Sequence, residues 1–443
     1  MTEGQRENDT EATANPERFE NRGAPRGTYI SETIHNPDRY MVDLRQILSQ
    51  GRKRIGLLLG AGAPAAVKIG ADGKIDNEGA PLIPDVARLT TFVIEALKEG
   101  NSVVVQAIRR DLEPKYGPSP NIEAVLSRIR LLSQAIGNET VHGLDAGGYD
   151  ALGKTIADLI GSKVGARLPN EPTPFSELVA WVGGTNRDCP VEIFTPNYDL
   201  LLEEAFERAT FPYFDGFSGG HEPFFDPPSV ASSDTFPSRW SRLWKLHGSL
   251  GWEVRGDRIV RTGSRVATQL IYPDHLKYDS IQRLPYSALF ERLRAFLMTP
   301  DCLLLCSGFS FFDAHICSII EESLVANPHA AVFAFQYQEL AKEKLAVDLA
   351  RMRPNLSVYA KDGAVISGVR GDWRPGQSPT KDWPEIRNTF WGLRNGETQP
   401  HFLLGDFVRL ARFCSMAQSI QLATSTGTDA GGTSTTTETE AVC

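Results

Sequence analysis

The chain has no long apolar run, little sulfur and no surplus of positive charge, and each shortage removes a class of function. Nowhere in its 443 residues are there the ~20 consecutive apolar residues that a membrane-spanning helix needs. The opening "MTEGQRENDTEATANPERFENRGAPRG" lacks an apolar core, so it reads as a flexible arm and neither a signal peptide nor a membrane span is expected. A cytoplasmic protein with no membrane contact is the expectation. The net charge of −9 argues against broad electrostatic binding to nucleic acid or anionic lipid, and no basic stripe stands out. The six cysteines, Cys189, Cys302, Cys306, Cys317, Cys414 and Cys443, form no CxxC pair. Three lie in or beside an apolar strand and helix and read as buried thiols rather than zinc ligands or disulfides, so no structural zinc is expected.

What is present is an alternation of apolar strands and amphipathic helices. "RKRIGLLLGAGAPAAVKIG" runs a strand into Gly60-Ala61-Gly62 and then into small residues that can begin a helix, a shape suited to an anion. The acidic residue usual about 20 positions further on is missing, and "GADGKIDNEGAPLIPD" reads there as a hairpin-like insertion. "VEIFTPNYDLLLEEAFERA", "RLWKLHGSL", "DCLLLCSGFSFFDAHICSIIEESL", "HAAVFAF", "AKEKLAVDLARM" and "LSVYA" continue the alternation. It predicts an α/β fold: a doubly wound, Rossmann-like parallel sheet with a helical insertion over about 88–188. The expected organisation is an arm over 1–45, a catalytic domain over 46–375, a helical extension over 376–420 and a disordered Thr/Ser/Gly-rich tail over 421–443. Within the insertion, "GYDALGKT" (Gly148–Thr155) fits a phosphate-loop expression, but the segment before it is turn-like and one helical face runs through it, so a helix is expected.

Polar groups stand where the apolar strands stop: Gly60-Ala61-Gly62, Thr195 with Asn197 and Asp199, His247-Gly-Ser249, and Ser307-Gly308-Phe-Ser310. Each alone has an ordinary structural explanation, with Asn197 and Asp199 as helix caps and His247 as a satisfied core histidine. Their succession at strand tips, where ligands bind in a doubly wound sheet, points to an active site.

With "GAGA", "LIPD", "TPNYDLLLE", "KLHGSLGW", "CSGFSFFDAHI" and "KDGA" in this order between about Ile55 and Ala364, the chain resembles the sirtuin-like domain, in its bacterial antiphage branch that cleaves NAD. In finer detail it is most like the sirtuin-like partner of a HerA-type hexameric ATPase. It departs from classical sirtuins in lacking their two zinc-binding cysteine pairs, which disfavours protein deacetylation. The resemblance implies NAD as substrate, with Asn197 and His247 catalytic and Gly60, Ala61 and Gly62 along the diphosphate. Asp85 would lie near the nicotinamide side, and Asp199 behind Asn197. Thr195 falls among the NAD-binding residues, with Ser307, Gly308 and Ser310 at the adenosine ribose and Asp362 and Gly363 flanking the adenine. It further implies a homo-oligomer, a HerA-type ATPase as partner, and nucleic acid only through that complex.

The residue types suit that chemistry. Nicotinamide in NAD is already a cationic leaving group, so its departure through an oxocarbenium-like state needs no general acid. It needs an amide to orient a water and an imidazole to take a proton, in a pocket closed to bulk solvent. Two other functions stay open at this level: a module that senses NAD or ADP-ribose without cleaving it, and a phosphate-loop ATPase using Lys154.

Overall fold

The computed structural model describes residues 33–265, 284–394 and 396–425, and the sequence readings that fall on 1–32, on 426–443 and on Cys443 lie outside them. Ten strands build one sheet: β1 (Ile34–His35), β2 (Ile55–Leu59), β3 (Glu192–Thr195), β4 (Tyr213–Phe214), β5 (Ser241–Lys245), β6 (Leu303–Ser307), β7 (Ala331–Phe335), β8 (Leu356–Tyr359), β9 (Gly363–Ile366) and β10 (Val369–Trp373). Their order is β1-β10-β9-β8-β7-β6-β2-β3-β5-β4. From β8 to β4 every neighbouring pair is parallel, whereas β9 runs antiparallel to β8 and β10.

The winding follows from burial on both faces. Leu57 and Leu59 of β2 enter one core with Met41, Trp181 and Phe407, while Leu58 enters a second core with Phe290, Phe296 and Ile320. A strand covered on both sides reads as an unbroken apolar run, which is how β2 and β6 appear in the sequence. From β2 the chain steps outward through β3 to β5, then crosses back to β6 and steps outward the other way to β7 and β8. The topological switch point therefore lies between β2 and β6, and the crevice beyond their carboxyl ends is where such sheets receive ligands.

One acid interrupts the apolar strand β3. Glu192 is buried, and Arg292 answers it bidentately, Nε to Oε2 at 2.8 Å and Nη2 to Oε1 at 2.6 Å, while Trp244 Nε1 donates to Oε2 at 2.9 Å. Removing either member of such a pair typically costs about 3–5 kcal/mol, because a buried charge is left uncompensated.

Five long helices fill the segment between the hairpin of Lys68–Ile69 with Ala80–Pro81 and β3: Val86–Ala96, Glu99–Tyr116, Ile122–Ala135, Ala146–Val164 and Pro174–Gly184. "GYDALGKT" lies inside the fourth, which Asp145 caps by accepting from Gly148 N at 2.7 Å. Lys154 is exposed on it, and Gly153 packs against Ile129, where a Cβ would sit 3.3 Å from Cγ2. Neither the loop nor the preceding buried strand of a phosphate site is present there.

Two domain boundaries differ from the sequence reading. Residues 33–45, assigned to the arm, belong to the fold: β1 pairs with β10, and the helix Pro37–Ser49 buries Met41, Leu44 and Leu48. The last helix also runs to Ser425, into the segment read as a disordered tail from 421, and the helical extension over 376–420 packs on the fold. Its helix Trp383–Phe390 is tied to the N-terminal helix through Asp38, which accepts from Trp383 Nε1 at 2.7 Å and Arg387 Nε at 2.6 Å. The strands Trp391–Gly392 and His401–Phe402 follow, and then the helix Phe407–Ser425, whose Phe407 ring lies 5.0 Å from that of Phe175.

Candidate active site

The glycine turn after β2 is built against the loop after β6. Gly60 N donates to Ser307 O at 3.0 Å and Gly62 N to Gly308 O at 2.9 Å. A Cβ on Gly62 would meet Gly308 Cα at 2.5 Å, and one on Gly308, whose φ is +63°, would meet Ala63 N at 2.6 Å. These glycines are thus required by backbone packing across the switch point. The N–H groups of Gly60, Gly62 and Ala63 are engaged within the protein, the last by Gly60 O at 3.0 Å, and the helix that follows, Gly62–Ala66, has only five residues. The turn is therefore a weaker anion cradle than the free helix N-terminus its sequence pattern implies.

Asn197 is wired to this turn. Its Nδ2 donates to Gly60 O at 3.0 Å, and its backbone N donates to Thr195 Oγ1 at 3.1 Å. Thr195 Oγ1 in turn donates to Leu59 O at 2.7 Å. The buried hydroxyl of Thr195 thereby couples the carboxyl ends of β2 and β3 and sets the carboxamide of Asn197 over the switch point.

Behind Asn197 lies a buried charge cluster. Asp199 Oδ1 accepts from Leu201 N at 3.1 Å just ahead of the helix Leu201–Arg208, whose N-cap is Leu200, and its carbonyl accepts from Lys245 Nζ. Lys245, on β5 and only 2% exposed, pairs with Glu203 at 3.3 Å. Burial pushes the carboxyls of Asp199 and Glu203 up, with Lys245 pulling the other way. Lys245 and Glu203 escape a sequence reading because each sits in a pattern that explains it otherwise, as the end of a strand and as a helix-surface acid.

His247 follows β5 and is 4% exposed. Its Nε2 lies 3.0 Å from Asp313 Oδ2, and its ring packs 6.1 Å from that of Phe290. Asp313 is itself fixed, because its Oδ1 accepts from His315 N and Ile316 N at 3.0 Å each, capping the helix Ala314–Ala326. A carboxylate against an imidazole orients the ring and stabilises the cation formed when it gains a proton. In sequence Asp313 reads only as a helix cap, since nothing local connects it to a histidine 66 positions earlier.

The remaining expected residues spread along the same edge. Ser307 ends β6 and Gly308 follows it, while Ser310 is exposed between the buried rings of Phe309 and Phe311. Asp362 and Gly363 lie at the turn from β8 to β9, where Asp362 Oδ1 accepts from Leu340 N at 2.8 Å. That turn is three strand spacings from β2, about 14 Å, on the side away from His247. Asp85 caps the helix Val86–Ala96, accepting from Arg88 N at 2.9 Å, and no hydrogen bond ties it to Gly60 or Asn197. The hydroxyls of Ser249 and Ser307 are buried without a hydrogen-bond partner. Among the described residues no group of three or more His, Cys, Asp or Glu is placed to hold a metal ion, and no helix is long and apolar enough to cross a membrane.

One family model matches part of the chain that carries these strand ends. Residues 191–354 are similar to the SIR2-like domain. The SIR2-like segment contains Asn197, Asp199, His247, Ser307, Gly308, Ser310 and Asp313, and leaves Gly60, Asp85 and Asp362 outside it. A solved structure concerned with the mechanism and regulation of Sir2 enzymes aligns at 12% identity, covering 68% of this chain and 86% of that one, with a TM-score of 0.29. No curated protein matches the chain.

Proposed function

We propose that the protein is an NAD glycohydrolase, releasing nicotinamide and ADP-ribose at the crevice between β2 and β6. The observation that carries this reading is the pairing of two differently equipped side chains at neighbouring strand ends. Asn197 is held by Gly60 and Thr195, and His247 is held against Asp313. The similarity of residues 191–354 to the SIR2-like domain, and the motif order that runs beyond it, favour NAD as the substrate.

The polar groups of the site suit such a substrate. Ser249 and Ser307 offer hydroxyls with unmet hydrogen-bonding capacity to a ribose, and buried polar groups left unmet are costly. Because the leaving group is already cationic, the chain has two tasks. The carboxamide of Asn197 orients a water towards the anomeric carbon. His247 takes the proton that water loses, and Asp313 facing Nε2 stabilises the resulting imidazolium. The burial of His247 beside Phe290 keeps bulk water from competing.

On the motif resemblance, we also propose that the chain is the NAD-depleting effector of a bacterial antiphage system, forms a homo-oligomer in the cytoplasm and is controlled by a HerA-type ATPase. The decisive experiment is to incubate the purified protein with NAD, alone and with that ATPase, and to follow nicotinamide and ADP-ribose by chromatography. Stoichiometric appearance of both is expected under at least one condition, and intact NAD under both would refute the reading. Light scattering should show a multimer, and a clean monomer would remove the oligomer from the proposal.

A further inference from the structure

The loops that carry Asn197 and His247 leave adjacent strands side by side. Thr195 and Lys245, the last residues of β3 and β5, are partners in register, with Asn197 two positions beyond the first and His247 two beyond the second. Main-chain bonds continue the pairing past the sheet, Leu246 N donating to Thr195 O at 2.8 Å and Leu250 N to Tyr198 O at 2.9 Å. Lys245 adds a tie from its side chain. Its Nζ donates to the carbonyl of Asp199, at the far end of the Asn197 loop, and pairs with Glu203 Oε1 at 3.3 Å on the helix Leu201–Arg208. The loop over 195–199 is thereby held at both ends, by the Thr195 hydroxyl on Leu59 O and by the ammonium on Asp199 O.

Stability does not explain a lysine at this position, which is only 2% exposed. Taking an ammonium and a carboxylate out of water together yields little net stability, and uncharged side chains of the same volume in their place are often as stable or more so. What an apolar side chain cannot do is grip a carbonyl. We propose that Lys245 is a positioning residue for NAD cleavage: by holding the Asp199 carbonyl it fixes the loop that aims the carboxamide of Asn197, while Glu203 balances its charge. The proposal rests on the hydrolase reading of the site. Precision matters there, because a misplacement of about 1 Å in an orienting group can cost about a hundredfold in rate.

The test compares the full chains of wild type, K245M/E203Q, N197A and the triple variant for nicotinamide release, NAD affinity and melting temperature. Met and Gln keep the volumes of Lys and Glu and remove both charges of the pair together, and the Asp199 carboxylate keeps its bond from Leu201 N, so the double variant is expected to fold. It should bind NAD within about twofold of wild type and melt no lower, yet release nicotinamide about tenfold or more slowly. Added to N197A, the same two changes should slow release by less than about twofold, because the group they position is already gone. Release at the wild-type rate in K245M/E203Q, a full further loss on top of N197A, or a melting temperature far below wild type would overturn the proposal, the last by making Lys245 a structural ion of the fold. A wild type that releases no nicotinamide under any condition would instead refute the hydrolase reading, and this role with it.

Discussion

His247 Nε2 and Asp313 Oδ2 stand 3.0 Å apart, and they join the carboxyl end of β5 to the start of the helix Ala314–Ala326. The same carboxylate caps that helix through its other oxygen. Asp313→Asn can keep the cap, because Asn is as good an N-cap as Asp, but it removes the charge that faces the imidazole. Turnover should fall about tenfold or more while the melting temperature stays close to wild type. Wild-type turnover in a folded D313N protein would make Asp313 a helix cap and nothing more.

The glycine turn makes a different prediction. Gly62→Ala should act on the fold, because its Cβ would fall 2.5 Å from Gly308 Cα, where backbone and not a flexible side chain must give way. A loss of about 2 kcal/mol or more is expected, read in urea as a lower midpoint with the slope unchanged. If G62A unfolds like wild type and only NAD binding weakens, the turn serves phosphate approach and not packing across the switch point.

Lys154→Ala should be silent. The residue is exposed on the fourth insertion helix, where loss of one surface charge changes stability by no more than about 0.5 kcal/mol. NAD cleavage and nucleotide binding, the latter followed by calorimetry, should match wild type. Lost activity in a folded K154A protein would restore the phosphate-loop reading.

Much of the site is legible in the sequence because strand ends are legible. The runs before Gly60 and Ser307 are apolar on both faces and the one before Thr195 is so apart from Glu192, and all stop abruptly, so the polar groups there mark the carboxyl edge. Partners from distant elements are not legible. Gly60 and Gly62 match a phosphate pattern, but their close neighbour is Gly308, and no local signal connects the two. Asp313 hides in the same way, having a sufficient local role as a cap. At the sheet's far edge, the strand Ile34–His35 is two residues long and pairs across more than three hundred positions, so periodicity does not detect it. The C-terminal segment reads as a purely helical extension because its strands His401–Phe402 and Trp391–Gly392 are equally short, although they bring Phe402, with Phe407 beyond it, into the main core.

The most direct measurement is nicotinamide release by wild type, N197A and H247Q under conditions where the wild type is active, with NAD affinity and melting temperature recorded for each. H247Q keeps an amide N–H for Asp313 but cannot take up a proton, and N197A removes the carboxamide while Thr195 stays bonded to Leu59. Both should bind NAD and melt near wild type, yet release nicotinamide about a hundredfold more slowly. Release at the wild-type rate by either folded variant would contradict the assignment of Asn197 and His247 as the residues that cleave NAD.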